Sequence, residues 1–152
     1  MRKIQLALCI LLTAVVLPCL APAAGAPKPA KGAHTVSAIL ITASNKKGGV
    51  DRKLESYGTE LRRNLPFDTF RYVSEGTASV PEGGRGTVTF AGGHRLELED
   101  EAGEGIRLKV YWMTGSEVMI STTLTLNPGI PGVLVRRGAN DGDVPVVLLI
   151  AR

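Results

Sequence analysis

The hydrophobic pattern is densest at the two ends of the folded part of the chain. In residues 35–43 and 146–151, apolar side chains occupy both of the alternating positions. A strand that is apolar on both faces is usually covered on both faces. The pattern therefore predicts two interior strands, which we expect side by side near the centre of the structure.

A helical pattern follows the first of these strands. After a polar turn at residues 44–49, Asp51 can cap a helix, and Pro66 forbids its continuation. Between them, apolar residues recur at three- and four-residue spacing, namely Leu54, Tyr57, Leu61 and Leu65. This spacing predicts one amphipathic helix that packs on a sheet.

After the helix, the chain consists of short apolar or alternating segments, the last of which is the interior strand at residues 146–151. Breaks rich in Gly, Pro, Asn and Asp separate seven predicted strands, at residues 69–73, 86–90, 95–99, 106–113, 118–126, 133–137 and 146–151. Residues 114–117 predict a hairpin turn, with Gly115 able to take a positive φ, and residues 91–94 predict another. The predicted fold class is α+β: an antiparallel β-rich domain, either a curled sheet or a two-sheet sandwich, with an N-terminal strand and one amphipathic helix.

The N-terminal segment has the pattern of a secretion signal. Two basic residues precede an uncharged apolar run at residues 4–17, and small residues follow. Ala21 and Ala23 suit a signal peptidase, which favours small side chains one and three residues before the cut. We therefore predict a signal peptide at residues 1–23. An uncleaved anchor is the alternative, although the run is shorter than the ~20 apolar residues of a spanning helix.

The predicted signal peptide changes what the composition implies. It contains both cysteines, Cys9 and Cys19, and it carries two bases and no acid, so its removal lowers the net charge from +4 to +2. The remaining bases are dispersed, which argues against a nucleic-acid partner, and we expect membrane contact only through the signal segment before cleavage. Residues 24–33 are predicted to form a flexible leader and residues 34–152 a single β-rich globular domain. We expect an exported protein, periplasmic or extracellular.

Few residues suggest catalysis or metal binding. His34 lies at the leader boundary and His94 in a predicted turn, and no serine lies in a Gly-x-Ser-x-Gly motif. The acidic stretch at residues 97–104 offers oxygen ligands for calcium, but its spacing matches no calcium loop with a known ligand rule. The simpler interpretation places Leu96 and Leu98 in the core and the acidic side chains in water. We predict no catalytic residue, no cofactor and no metal ion.

One strand carries a candidate binding surface. In residues 106–113, the alternate residues Ile106, Leu108, Val110 and Trp112 are predicted to face the core. The opposite side of the same strand carries Arg107, Lys109, Tyr111 and Met113. If that side is uncovered, these four residues form a basic and aromatic strip suited to a protein or glycan partner.

The segment that leaves the helix is similar to a known kind of protein. Residues 61–72 read LRRNLPFDTFRY and are followed by many short strands. This pattern resembles small exported bacterial helix-plus-β proteins of uncharacterised function. The resemblance implies an exported helix-plus-β domain and no particular activity.

The expected function is therefore non-catalytic. Export, a β-rich scaffold with sheet edges and the scarcity of catalytic motifs favour an envelope domain that binds a protein partner, as an accessory of a surface, secretion or pilus assembly. The alternatives are a carbohydrate-binding or glycan-acting domain and a calcium-stabilised module.

Overall fold

A computed structural model of the protein describes residues 32–136 and 142–152. The predicted signal peptide, residues 1–23, and all but the last two residues of the predicted leader lie outside the described residues. In the two described segments, no helix combines the length and the apolar character needed to cross a membrane.

Eight strands and one short α-helix make up the described chain. The helix α1 (Gly58–Asn64) continues from a 3₁₀-helix (Arg52–Tyr57), and a second, three-residue 3₁₀-helix (Ala91–Gly93) connects two strands. The strands are β1 (Ala33–Ser44), β2 (Thr69–Pro81), β3 (Arg85–Thr89), β4 (His94–Asp100), β5 (Ile106–Thr114), β6 (Glu117–Leu126), β7 (Gly132–Val135) and β8 (Val144–Ala151). They form two four-stranded antiparallel sheets: sheet I, in the order β2-β1-β8-β7, and sheet II, in the order β3-β4-β5-β6. The predicted α+β class is confirmed, and the arrangement is sandwich-like.

The main core lies between the two sheets. Trp112 of β5 is fully buried there and packs in a cluster with residues of both sheets. Sheet I contributes Val36, Ala38, Leu40, Val147 and Leu149, and sheet II contributes Leu96, Leu98, Leu108 and Val110. The predicted inward row of β5 is therefore confirmed.

A second core lies between sheet I and the 3₁₀-helix Arg52–Tyr57 with α1, which together we call the helical layer. Leu54 and Leu61 are fully buried against residues such as Ile41, Phe70 and Val146 of sheet I. Asp51 caps this segment as predicted, because its side chain accepts a hydrogen bond from the Lys53 backbone N–H at 3.1 Å.

The helix is shorter than the spacing predicts. The first part of the predicted span forms a 3₁₀-helix, the α-helix begins at Gly58, and Leu65 lies in extended backbone beyond its end. Glycine has low helix propensity, and Pro66 disfavours helical backbone at the residue before it, so the apolar stripe extends further than the α-helix.

The first and last strands are central neighbours. β1 and β8 pair antiparallel from Val36 opposite Ala151 to Ala43 opposite Val144, and β2 and β7 flank them. This confirms the placement predicted from their two-sided apolar character. β1 begins at Ala33, two residues earlier than predicted, so His34, which was expected at the boundary of the leader, lies within the strand.

Two strand predictions need correction. β2 was predicted over residues 69–73 but extends to Pro81. Its second half pairs with β1 although it contains Gly, Glu and Ala, which are depleted in strands. Gly76 permits a close approach there, since a Cβ at this position would lie 2.5 Å from Val88 Cγ1. β7 covers Gly132–Val135 of the predicted 133–137, of which Arg137 lies outside the described residues.

Candidate functional site

The outer face of sheet II is not covered by the helical layer. The helices pack on sheet I, so the outward side chains of sheet II face solvent. β3 contributes Arg85, Thr87 and Thr89, and β4 contributes Arg95, Glu97 and Glu99. β6 contributes Ser121, Thr123 and Thr125, which lie opposite the predicted strip of β5.

Three residues of the predicted strip are accessible on this face, and the fourth is largely covered. Arg107 is exposed, and its Nε lies 2.9 Å from the Glu101 carboxylate. Lys109 and Tyr111 are half-buried, whereas Met113 is only 9% exposed. The Arg95 guanidinium lies 3.7 Å from the Met113 sulfur. The accessible part of the strip therefore consists of Arg107, Lys109 and Tyr111.

Charged groups of alternating sign surround Tyr111. The carboxylate of Glu99 lies 3.1 Å from Arg85, and that of Glu97 lies 3.0 Å from Arg95. Strand pairing places Glu97 directly opposite Tyr111 and Glu99 opposite Lys109. Such exposed pairs contribute only about 0–1 kcal/mol each to stability, so their main effect is to orient the side chains.

Lys109 and Tyr111 form a pair on β5. The Lys109 ammonium lies 5.4 Å from the centre of the Tyr111 ring. Hydrogen bonding to the Tyr111 side chain, followed by charge interactions with Tyr111, Glu99 and Glu101, raises the pKa of Lys109 above its usual value. The strip therefore presents a fixed positive charge beside a phenol ring at neutral pH.

His94 has a structural environment that the sequence did not indicate. It was predicted in a turn, but it is the first residue of β4 and lies opposite Thr114. The indole N–H of Trp112 donates to His94 Nδ1 at 3.3 Å, and the Thr114 hydroxyl lies 2.9 Å from the same nitrogen. Burial lowers the pKa of His94 below its usual value. The imidazole thus satisfies the only polar atom of the buried tryptophan side chain.

The acidic stretch divides between two environments. Leu96 and Leu98 are buried, and Glu97 and Glu99 point outward, as predicted. Asp100, whose side chain was expected in water, is instead only 6% exposed. Its carboxylate accepts a hydrogen bond from the Gly83 backbone N–H at 2.8 Å and so holds the turn between β2 and β3.

The acidic side chains do not converge on one point. Glu101 pairs with Arg107 and Glu99 with Arg85, whereas the Asp100 carboxylate faces the neighbouring turn. Among the residues that the structure describes, no group of three or more His, Cys, Asp or Glu side chains is placed to hold a metal ion. The acidic stretch therefore acts locally, through ion pairs and one turn contact.

The outer strand β6 is the second notable feature of sheet II. It is 10 residues long and pairs with β5 on one side, and it pairs with no other described strand. Residues 118–126 contain no charged residue and no proline. Val118 is 54% exposed, and three apolar side chains, Met119, Ile120 and Leu124, are only partly buried at the margin of the main core. We call the unpaired side of residues 118–126 the β6 edge.

The other outer strands are shorter or carry charges. β3 has five residues, including Arg85, and β7 has four. β2 is long but contains Arg71 and Glu75. Among the described outer strands, β6 is thus the long strand whose single charged residue, Glu117, stands at its first position.

Comparison with protein-family models, with curated proteins and with solved structures finds no match to this chain.

Proposed function

We propose that this protein is an exported, non-catalytic domain of the bacterial envelope that binds another protein through the outer face of sheet II. The partner belongs to a surface, secretion or pilus assembly, for which the protein serves as an accessory. Export is inferred from the signal pattern of residues 1–23. The observation that carries the binding proposal is the solvent-facing group formed by Arg107, Lys109 and Tyr111.

The residue types in this group suit a protein interface. Tyrosine and arginine are enriched among residues that dominate protein binding, because each combines a large contact area with a polar group. Tyr111 lies in the middle of β5, a strand with neighbours on both sides. A side chain on a rigid strand loses less conformational entropy on binding than one on a loop does.

The alternating charges indicate the kind of partner. The face presents Arg107 and Lys109 beside Glu97, Glu99 and Glu101, so it has no single sign. A polymer of uniform charge would meet repulsion as well as attraction on such a surface. A folded protein with an alternating charge pattern would complement it and gain specificity.

The proposal can be tested by crosslinking in the native host. A photoreactive amino acid at Thr87, which is exposed opposite Glu97 on the same face, should capture one envelope assembly repeatedly. Because truncation of a dominant interface residue typically costs about 2 kcal/mol or more, Tyr111→Ala should lower capture at least roughly tenfold. The captured proteins and their amounts are measured by mass spectrometry.

The chain supplies a matched control for this experiment. Lys53 lies 4.2 Å from the centre of the Tyr72 ring in the helical layer, so it repeats the lysine–tyrosine pair away from sheet II. Lys109→Ala should reduce capture and Lys53→Ala should not. Absence of any enriched protein, or equal capture by the Tyr111→Ala variant, would refute the proposal.

A glycan ligand is the second candidate, because Glu97 lies directly opposite Tyr111. An aromatic ring beside a carboxylate can stack on a sugar and accept hydrogen bonds from its hydroxyl groups. A glycan array distinguishes the two candidates. Binding that is lost in both Tyr111→Ala and Glu97→Gln, together with no captured protein, would favour the glycan.

A further inference from the structure

The β6 edge presents a row of backbone groups that no described strand pairs. Soluble proteins usually protect such edges with charged residues, prolines, bulges or short strands. β6 has one irregularity, where the register with β5 shifts between Trp112 and Met113, and residues 120–126 beyond it pair regularly. An unprotected edge of this length favours the addition of another strand.

We propose that two copies of this protein associate by pairing their β6 strands antiparallel, around a two-fold axis at Thr122. The two copies of sheet II then form one continuous sheet of eight strands. This inference concerns a surface different from the strip of Arg107, Lys109 and Tyr111 on β5, and it does not depend on the proposed function.

The choice of register follows from the pattern of β6. Thr122 is the middle residue of the uncharged stretch 118–126. Antiparallel pairing around it places Ile120 opposite Leu124 of the second copy and Ser121 opposite Thr123. Each of residues 120–124 then meets one of similar polarity on the same face, which a shift by one residue would prevent.

The inward row of β6 supplies the strongest argument for a second copy. Ile120, Thr122 and Leu124 lie opposite Trp112, Val110 and Leu108, on the side of the main core. All three are only partly buried, and Thr122 places a hydroxyl between two apolar side chains. In the proposed pair, the Thr122 residues of the two copies face each other, and threonine pairs across strands are favourable. The same contact covers Ile120 and Leu124.

The charges on the neighbouring strand β5 are compatible with self-association. Lys109 lies opposite Thr123 and Arg107 opposite Thr125, so each is one strand away from the edge. In the proposed sheet, Lys109 shares a row with the uncharged Tyr111 of the second copy, so the Lys109 ammonium groups of the two copies lie at least three strand spacings, or about 14 Å, apart. This distance exceeds the Debye length of about 8 Å at physiological salt. A partner strand with charged side chains would find no opposite charge on residues 118–126, whereas a second copy requires none.

The inference is tested with protein isolated from cells that express the full chain. Sedimentation velocity over a range of concentrations should show reversible dimers of the wild type. Thr122→Lys and Thr122→Glu should each raise the dimer dissociation constant at least about 10-fold, because each places two like charges face to face. An equal mixture of the two variants should restore dimers, since a lysine then faces a glutamate.

Control variants are available on the other outer strand of sheet II. Thr87 of β3 is an exposed threonine, so Thr87→Lys and Thr87→Glu introduce the same charges away from β6. They should leave the dissociation constant unchanged. Tyr111→Ala should also leave it unchanged, which separates this association from partner capture.

Three results would overturn the inference. They are a wild type that is monomeric throughout the concentration range, a dimer that the Thr122 variants do not weaken, and a mixture that fails to restore dimers. If circular dichroism shows that Thr122→Lys does not fold, Ser121→Lys is mixed with Thr123→Glu, because the register places these exposed residues opposite each other. Failure of that mixture to dimerise more strongly than either variant alone would equally overturn it.

Discussion

His94 supplies the hydrogen-bond acceptor that a buried core residue requires. Trp112 is fully buried, so its indole N–H requires an acceptor, and His94 Nδ1 provides one at 3.3 Å. The nitrogen can accept this hydrogen bond only while it carries no proton. The same contact therefore links the packing of Trp112 to pH.

We expect the protein to lose stability in acid through His94. Because burial lowers the pKa of His94 in the folded state, the unfolded chain binds the proton more readily. This contribution to stability is complete above the usual imidazole pKa of about 6.5 and declines as the pH falls below it. Urea unfolding midpoints at a series of pH values, with Trp112 fluorescence as the signal, measure the decline.

Two variants assign this effect to His94. His94→Gln keeps a polar side chain at this position but removes the titrating ring, so its midpoint should decline less below pH ~6.5 than that of the wild type. His34→Gln removes the chain's other histidine, which lies in β1, and should retain the wild-type decline. An unchanged pH dependence in His94→Gln would contradict the assignment.

At the scale of elements, the helical layer depends on a few buried leucines. Leu61 is fully buried in the core between α1 and sheet I, together with Leu54. α1 has only seven residues, and isolated helices of that length are unstable in water. Packing of these leucines on sheet I therefore maintains the helical layer.

Leu61→Ala should lower the free energy of unfolding by about 2–5 kcal/mol, because it removes buried apolar contact and leaves a cavity. Urea denaturation measures this change. Thr59→Ala is the control, since Thr59 is exposed in the same helix and the substitution should change stability by no more than about 0.5 kcal/mol. Equal effects of the two substitutions would show that the helical layer is not anchored in this way.

The elements also show which patterns the sequence could predict. β1 and β8 were placed correctly as central neighbours, because few positions in a fold tolerate apolar side chains on both faces of a strand. The second half of β2 was missed, because its pairing with β1 is a long-range contact that local propensity does not report. The 3₁₀-helix was interpreted as part of the α-helix because its apolar spacing fits both.

The candidate site shows the same division between local and long-range information. Alternation along β5 correctly placed Tyr111 and Trp112 on opposite faces. The burial of Met113 and the ion pair between Glu101 and Arg107 were not predictable, because they depend on contacts with the neighbouring strand and the turn that follows it. The burial of Asp100 likewise depends on the turn between β2 and β3.

At the scale of the whole molecule, the central pairing joins the two ends of the chain. β8 lies between β1 and β7 in sheet I and contributes to both cores. Its alternate residues Val147 and Leu149 face sheet II, whereas Val146 and Leu148 face the helical layer. The sandwich and the helical layer therefore both require the last strand.

Deletion of residues 144–152 should abolish cooperative unfolding. Without β8, β1 and β7 lose their shared neighbour and both cores lose apolar side chains. Urea titration of the truncated protein should give no sigmoidal transition, whereas deletion of Arg152 alone should preserve one. A cooperative transition in the longer truncation would show that the rest of the chain folds independently.

The closeness of the two ends of the described chain has a topological consequence. The Arg152 backbone N–H donates to the Thr35 carbonyl at 2.9 Å, so the last residue meets the beginning of β1. A few added residues could close residues 33–152 into a ring, and the ring could then be opened at the tight turn of Gly115 and Ser116. Strand order in the two sheets would be the same in such a circular permutant, although its chain would begin just before β6 and end just after β5.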